Sequence, residues 1–92
     1  MLKIEYQSQF KKDYKIAKKR GLNLSLLNKV ITMLANEQPL PERYRVHVLN
    51  NSKHYQNVFE CPILSDWLLV YQIKSDILTL VLVRTGTHAD LF

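Results

Sequence analysis

The stretch DWLLVYQIKSDILTLVLVR, residues 66–84, decides the fold of this 92-residue chain. Two runs of Val, Leu, Ile and Tyr flank the polar segment KSD (74–76), a pattern typical of two antiparallel strands joined by a turn. Residues equally distant from the turn lie opposite each other in such a hairpin. We therefore expect Asp66 and Trp67, which open the first strand, to lie beside Arg84, which ends the second.

The segments before this hairpin predict one strand followed by two helices. Apolar and charged residues alternate in MLKIEY (1–6), as in a short strand. Apolar residues then recur at helical spacing up to Gly21, which favours the left-handed conformation that ends a helix. A second helix should begin at Asn23 or Ser25 and stop before Pro39, because proline cannot occupy a helix interior.

The order of elements predicts an α+β fold in a single domain, residues 1–92. After the helices, RYRVHVL and YQNVFEC are strand-like again, so three or four strands follow the helical hairpin. We expect a mostly antiparallel sheet of four or five strands with the helical hairpin packed on one face. The last strand is expected to reach the centre of the sheet by pairing with the first.

Composition indicates a globular protein of a reducing cytoplasm. The sequence has no apolar run long enough to span a membrane and no signal-peptide pattern at its start. Its single cysteine, Cys61, cannot form an internal disulfide. Because Cys61 lies in an apolar strand, we expect it to be buried and inert, although a nucleophilic Cys–His site is a formal alternative.

The basic residues are concentrated in the first half of the chain. The net charge is +5; residues 1–46 contain ten basic and four acidic residues, and residues 47–92 contain three and four. A basic region of this kind indicates binding to nucleic acid or to an acidic protein. The alternative is a solvated helix face with no binding partner. The first predicted helix carries Lys11, Lys12, Lys15, Lys18, Lys19 and Arg20.

The sequence contains no motif for a metal or a phosphate-binding loop. His47, His54 and His88 are far apart, and none forms an H-x-x-x-H pair. The only two glycines, Gly21 and Gly86, cannot build a glycine-rich loop. We therefore expect neither a metal nor a cofactor.

The polar residues near the end of the hairpin suit the cleavage of RNA. Arginine can hold a phosphate in its transition state, and histidine can transfer a proton near neutral pH. Aspartate can orient that histidine, and RNA supplies its own nucleophile, the 2′-OH. We expect Arg84, His88 and Asp66 to act together, with Trp67, Tyr71 and Phe92 stacking on unpaired bases. The alternative is a salt bridge between Asp66 and Arg84, with His88 merely at the surface.

DWLLVYQI followed by LVRTGTHADLF resembles the signature of YafQ-type toxins, of the RelE/ParE superfamily of bacterial toxin–antitoxin systems. PLPERYRVHVL is similar to the family segment LPxxYxDHPL. The resemblance implies an mRNA interferase that enters the A site of the 70S ribosome, where the 2′-OH of the mRNA attacks the adjacent phosphate. It also implies a cognate antitoxin that blocks the toxin and contacts operator DNA in a joint complex, with no membrane partner.

Position by position, the resemblance implies roles for five residues. His88 matches the proposed general acid, and Arg84 matches the transition-state arginine. Asp66 matches the Asp of the family motif PDW and would support His88. His47 matches the DHPL histidine and is the expected base, and Glu60 is a second proton acceptor. The resemblance also implies that Phe92 helps to position the mRNA. The other expected RNA contacts are Trp67, Lys53, His54 and the six basic residues of the first helix.

The chain departs from the family pattern at a proton-transferring position. The family reads xECHIxPDW where this chain reads FECPILSDW, so Pro62 replaces a histidine and cannot transfer a proton. His54 either supplies the missing imidazole or is an exposed loop residue. Two alternative functions follow: a degenerate toxin that only binds antitoxin and takes part in transcriptional autoregulation, or a ParE-like toxin of DNA gyrase. His88 argues against the second, because that group generally lacks this histidine.

Overall fold

The computed structural model describes residues 1–49 and 58–92, so the predictions for Lys53 and His54 lie outside the described residues. The helices are α1 (Ser8–Lys19), α2 (Leu24–Ala35) and α3 (His88–Leu91). The strands are β1 (Lys3–Tyr6), β2 (His47–Val48), β3 (Phe59–Leu64), β4 (Trp67–Lys74) and β5 (Thr79–Gly86). Two single 3₁₀ turns cover Glu42–Tyr44 and Ser75–Ile77.

The strands form one five-stranded sheet in the order β1-β5-β4-β3-β2. β1 pairs with β5 in parallel, and the other neighbours are antiparallel. The α+β prediction is therefore confirmed, as is the pairing of the last strand with the first. β5 is held on both sides, which gives the segment that follows it a rigid base.

The helical hairpin covers one face of the sheet. Successive side chains of a strand point to opposite faces, so Leu69 and Tyr71 of β4 face the helices while Leu68 and Val70 face away. The larger core lies on the helix side and includes Phe10, Leu27, Val30, Leu69, Tyr71, Leu80 and Leu82. A smaller cluster on the other face consists of Val58, Leu68, Val70 and Leu91, so α3 packs there through its last residue.

The β4–β5 hairpin has a different register from the one that sequence spacing predicts. The turn extends over Ser75–Ile77, and a bulge leaves Val83 without a partner across the ladder. Arg84 consequently lies opposite Val70, inside the strand. The expectation that Arg84 would lie beside Asp66 was wrong, because sequence spacing reveals neither the length of the turn nor the bulge.

Several local predictions are confirmed. Gly21 is the second residue after α1, and its φ of 76° is in the left-handed range that terminates a helix. The side chain of Asn23 accepts a hydrogen bond from the backbone N–H of Ser25 at 3.1 Å and so caps α2. Cys61 is fully buried, and burial raises the pKa of its thiol to about 12, which keeps it protonated. None of the helices in the described ranges is long and apolar enough to cross a membrane.

Candidate active site

His88 is the first residue of α3, directly beyond the end of β5. The start of this helix is fixed by a reciprocal cap, in which the Thr87 hydroxyl accepts from the Asp90 N–H at 3.2 Å. The Asp90 carboxylate accepts from the Thr87 N–H at 3.0 Å. This capping box orders the backbone on which the imidazole of His88 stands.

Asp66 holds His88 through two contacts. Asp66 Oδ1 lies 2.9 Å from His88 Nδ1 and accepts the backbone N–H of His88 at 3.2 Å. The predicted proximity of these residues is confirmed. The hydrogen bond from His88 lowers the pKa of Asp66 from its ordinary value. A carboxylate on Nδ1 favours a proton on that nitrogen, so Nε2 of the neutral ring is the atom available to a substrate.

Glu60 connects His88 with His47. Glu60 is buried in β3 directly opposite His47 of β2, and its Oε1 lies 3.6 Å from His47 Nε2 and 4.0 Å from His88 Nε2. Nδ1 of His47 is 3.0 Å from the carbonyl oxygen of Arg45. Both imidazoles thus present Nε2 toward one carboxylate, an arrangement that suits a proton donor and a proton acceptor near the same substrate.

Four strands align the polar residues in one row. The register runs from His47 to Glu60, then to Val70 and finally to Arg84. Adjacent strands are about 4.8 Å apart, so this row spans roughly 15 Å, close to the length of two nucleotides. His88 lies beside the middle of the row through its approach to Glu60.

Arg84 is paired with Asp13 of α1, an acid that the sequence interpretation did not single out. Nε of Arg84 donates to Asp13 Oδ2 at 2.7 Å, and Nη2 donates to Oδ1 at 3.1 Å. The alternative of an Asp66–Arg84 salt bridge is therefore not what the structure shows. The available signal was spacing: Asp13 lies three residues after Phe10 and four before Ala17, on the buried face of α1.

The aromatic residues divide into buried and exposed ones. Trp67 is 2% exposed, and its Nε1 donates to the Thr85 hydroxyl at 2.9 Å. Tyr71 is also buried, stacked on Phe59 at 5.4 Å. The prediction that Trp67 and Tyr71 stack on bases is contradicted, because their rings fill the core. Phe92 is 55% exposed with its ring 6.2 Å from that of His88, so it is placed where a base near His88 could stack.

The basic residues of α1 are exposed, but one of them is used within the protein. The lysines lie at the surface at positions Lys11, Lys12, Lys15, Lys18 and Lys19. Arg20 instead donates to Asp90 Oδ2 at 2.7 Å and to Oδ1 at 3.3 Å. This hydrogen bond holds the pKa of Asp90 well below its usual range and ties α3 to the end of α1.

Metal-ligand geometry is absent from the described ranges 1–49 and 58–92. No group of three or more His, Cys, Asp or Glu side chains there is arranged to hold a metal ion.

A family model described as "Bacterial toxin of type II toxin-antitoxin system, YafQ" matches residues 2–92. The chain belongs to the YafQ family. It is 41% identical over 91 residues to the mRNA interferase toxin YafQ of Escherichia coli strain K12, a match that covers 97% of this chain and 94% of that protein. A putative YafQ toxin of Haemophilus influenzae is 33% identical over 94 residues, covering 97% and 90%.

Solved structures of YafQ toxins have the same fold. A metal-bound toxin from Helicobacter pylori superposes with a TM-score of 0.91 at 48% identity over the whole of both chains. YafQ from Escherichia coli strain BL21(DE3) has a TM-score of 0.90 at 36% identity, covering 100% of this chain and 99% of that one. YafQ in the Escherichia coli DinJ–YafQ complex has a TM-score of 0.88 at 38% identity, with the same coverage.

Proposed function

We propose that this YafQ-family toxin is an endoribonuclease that cuts mRNA without a metal, by attack of the 2′-OH on the adjacent phosphate. The observation that carries the proposal is the pairing of His88 with Asp66 beside Glu60, in one row with His47 and Arg84. Proton transfer and phosphate stabilisation are the two requirements of this reaction, and these side chains meet both. The mRNA interferase activity named for the Escherichia coli relatives supports it.

In the proposed reaction, a base removes the proton of the 2′-OH, and the 2′ oxygen bonds to phosphorus. The bond from phosphorus to the 5′ oxygen breaks, and the departing oxygen takes a proton from Nε2 of His88, which enters this step as the doubly protonated imidazolium and leaves it as the neutral ring with its proton on Nδ1. The products are a 2′,3′-cyclic phosphate and a 5′-OH. Arg84 stabilises the charge that accumulates on the phosphate oxygens.

His47 is the proposed base, with Glu60 as its partner. Nε2 of His47 lies 3.6 Å from Glu60 Oε1, and the contact between Nδ1 and the Arg45 carbonyl orients the ring. The same Nε2 atom can take a proton only when the ring is neutral. Pro62, two residues after Glu60 in β3, cannot take a proton, so His47 and Glu60 are the proposed acceptors for the proton of the 2′-OH.

The ribosome and an antitoxin are the proposed macromolecular partners. The exposed lysines of α1 suit contact with ribosomal RNA during cleavage in the A site, and this contact should weaken as salt rises. The relative in Escherichia coli forms a complex with DinJ. We extend this to a cognate antitoxin that neutralises this toxin and carries it to operator DNA.

One observation favours a second function, that of a catalytically degenerate module that binds antitoxin and regulates transcription. Pro62 occupies a position at which the family motif has a histidine. If that histidine is indispensable, the fold and the antitoxin surface persist without cleavage.

Induced expression in a bacterial host, with primer extension on a translated reporter mRNA, separates the two functions. The wild type is compared with His88→Ala and Arg84→Ala, and Lys74→Ala at the far, exposed end of the hairpin is the control. We expect translation-dependent cuts from the wild type and from Lys74→Ala and none from the other two variants. A folded wild type that binds antitoxin yet leaves mRNA intact and growth unaffected would establish the degenerate module instead.

A further inference from the structure

Asp13 is the single acidic residue of the lysine-rich helix α1, and its side chain is only 5% exposed. A buried carboxylate is costly unless hydrogen bonds compensate its lost hydration. Here it accepts from Nε and Nη2 of Arg84, from the backbone N–H of Thr85 at 3.2 Å and from Nε2 of Gln9 at 3.3 Å. Three of these four bonds come from two consecutive residues of β5.

The position of Asp13 beside the end of β5 explains why its carboxylate binds both the side chain of Arg84 and the backbone of Thr85. The pairing of β1 with β5 reaches only as far as Tyr6 and Leu82. Beyond Leu82, α1 runs along β5, and the Asp13 carboxylate accepts the N–H of Thr85 in place of a strand neighbour. The bulge at Val83 lies in the same stretch and places Arg84 opposite Val70, from where its guanidinium reaches the Asp13 carboxylate.

We propose that Asp13 is a positioning residue for Arg84 in the cleavage reaction. The paired Nε and Nη2 contacts fix the plane of the guanidinium. The Arg84 side chain is therefore held in one orientation before the phosphate binds. Preorganisation of this kind lowers a reaction barrier because the entropy of orientation is lost during folding. Arg84 is 23% exposed, so the guanidinium remains within reach of a substrate. This inference rests on the proposed function.

A double-mutant cycle separates positioning from a purely structural role. The measured quantity is the single-turnover rate of cleavage on translating ribosomes, in Asp13→Asn, in Arg84→Ala and in the double variant. We expect Asp13→Asn to lower the rate about 10- to 100-fold in the wild-type background, with KM changed less than about threefold. In the Arg84→Ala background the same change should alter the rate less than about twofold. Equal losses in both backgrounds would overturn the positioning role.

If Asp13→Asn does not fold, the variant Asp13→Glu still tests the positioning role. It retains the charge and moves the carboxylate by one methylene, so a folded protein should still lose about tenfold in rate. Full activity of folded Asp13→Glu would contradict the proposal. Lys74→Ala, at the exposed far end of the β4–β5 hairpin, is the control and should cleave at the wild-type rate.

The Nε–H proton of Arg84 provides a readout that does not depend on cleavage. In the wild type, nuclear magnetic resonance should detect it in slow exchange with water, because it donates to a buried carboxylate at 2.7 Å. It should exchange too fast to detect in Asp13→Asn, and equal protection in both proteins would overturn the inference. A wild type with a protected Arg84 but no cleavage of mRNA would remove the proposed function, and with it any catalytic meaning of this contact.

Discussion

Two carboxylate pairs at the end of the sheet hold their partners in different ways. The Asp13–Arg84 pair lies between α1 and β5, with side chains that are 5% and 23% exposed. The Asp66–His88 pair lies in the open, with side chains that are 62% and 58% exposed. The closest contacts are similar, 2.7 Å and 2.9 Å, so the difference is in solvation and not in distance.

The difference matches the two tasks of the proposed reaction. A group that stabilises charge acts best when its dipole is fixed in advance in a water-poor place, as Arg84 is. A group that transfers a proton must reach the substrate and regain its proton from solvent, as exposed His88 can. The comparison therefore predicts that Arg84 variants affect both stability and activity, whereas His88 variants affect activity far more than stability.

The largest effect is expected for His88→Ala. Loss of the general acid should lower the single-turnover cleavage rate about 10²- to 10⁴-fold. Because His88 is exposed, the free energy of unfolding should change by less than about 0.5 kcal/mol. Urea unfolding beside the cleavage assay checks both quantities. A large loss of stability would show that the exposed Asp66–His88 pair also supports the fold, and the proposed difference between the two pairs would then be wrong.

Arg84→Ala tests the buried Asp13–Arg84 pair. It removes the partner of a buried carboxylate, so the free energy of unfolding should fall by about 3 kcal/mol, the low end for such pairs because Arg84 is partly exposed. Urea denaturation monitored by the fluorescence of buried Trp67 measures this. The double variant Arg84→Ala/Asp13→Ala should regain part of the loss, since no unpaired charge remains. A stability equal to wild type in the single variant would refute the buried pair.

The pH dependence of the exposed pair has a definite sign. The hydrogen bond with His88 lowers the pKa of Asp66 in the folded state, so the pair stabilises the fold above the ordinary pKa of aspartate, about 3.9. This contribution disappears as the pH falls through the lowered folded-state pKa. The stability difference between wild type and Asp66→Asn should be fully present at about pH 5 and shrink as the pH falls through the lowered folded-state pKa of Asp66. A difference that grows toward low pH would contradict the assignment.

The smallest effect is expected at Arg20, which holds α3 from outside through Asp90. Arg20→Gln should lower the cleavage rate by no more than about threefold, because exposed ion pairs contribute little. The loss should be equalled by Asp90→Asn and should not increase in the double variant. If Arg20→Gln weakens ribosome binding and Asp90→Asn does not, Arg20 has a second role: it contacts RNA in addition to its bond with Asp90.

Sequence patterns were sufficient for the sheet and for half of the site. Alternation and the KSD turn predict the hairpin, and the run TGTH places His88 within reach of Asp66, as the structure confirms. The Arg84 side was not predicted, because the bulge at Val83 changes the register without a signature in residue types. Trp67 was assigned to RNA on its aromatic character, whereas its Nε1–H finds a partner inside the core in Thr85.

The position of Pro62 makes His47 and Glu60 the groups to test as proton acceptors among the described residues. His47→Ala and Glu60→Gln in the same cleavage assay would show which of them removes the proton. We expect His47→Ala to cause the greater loss, about 10²-fold or more.

The most direct test of the central claim uses an mRNA whose scissile 5′ oxygen is replaced by sulfur. A thiolate leaves without taking a proton, so this substrate does not need a general acid. His88→Ala should cleave it within about tenfold of the wild-type rate, whereas Arg84→Ala should remain defective by about 10²-fold or more, because charge still develops on the phosphate. If His88→Ala stays as defective on the sulfur substrate as on normal mRNA, His88 does not act as the acid, and the proposed division of tasks between the exposed and the buried pair is wrong.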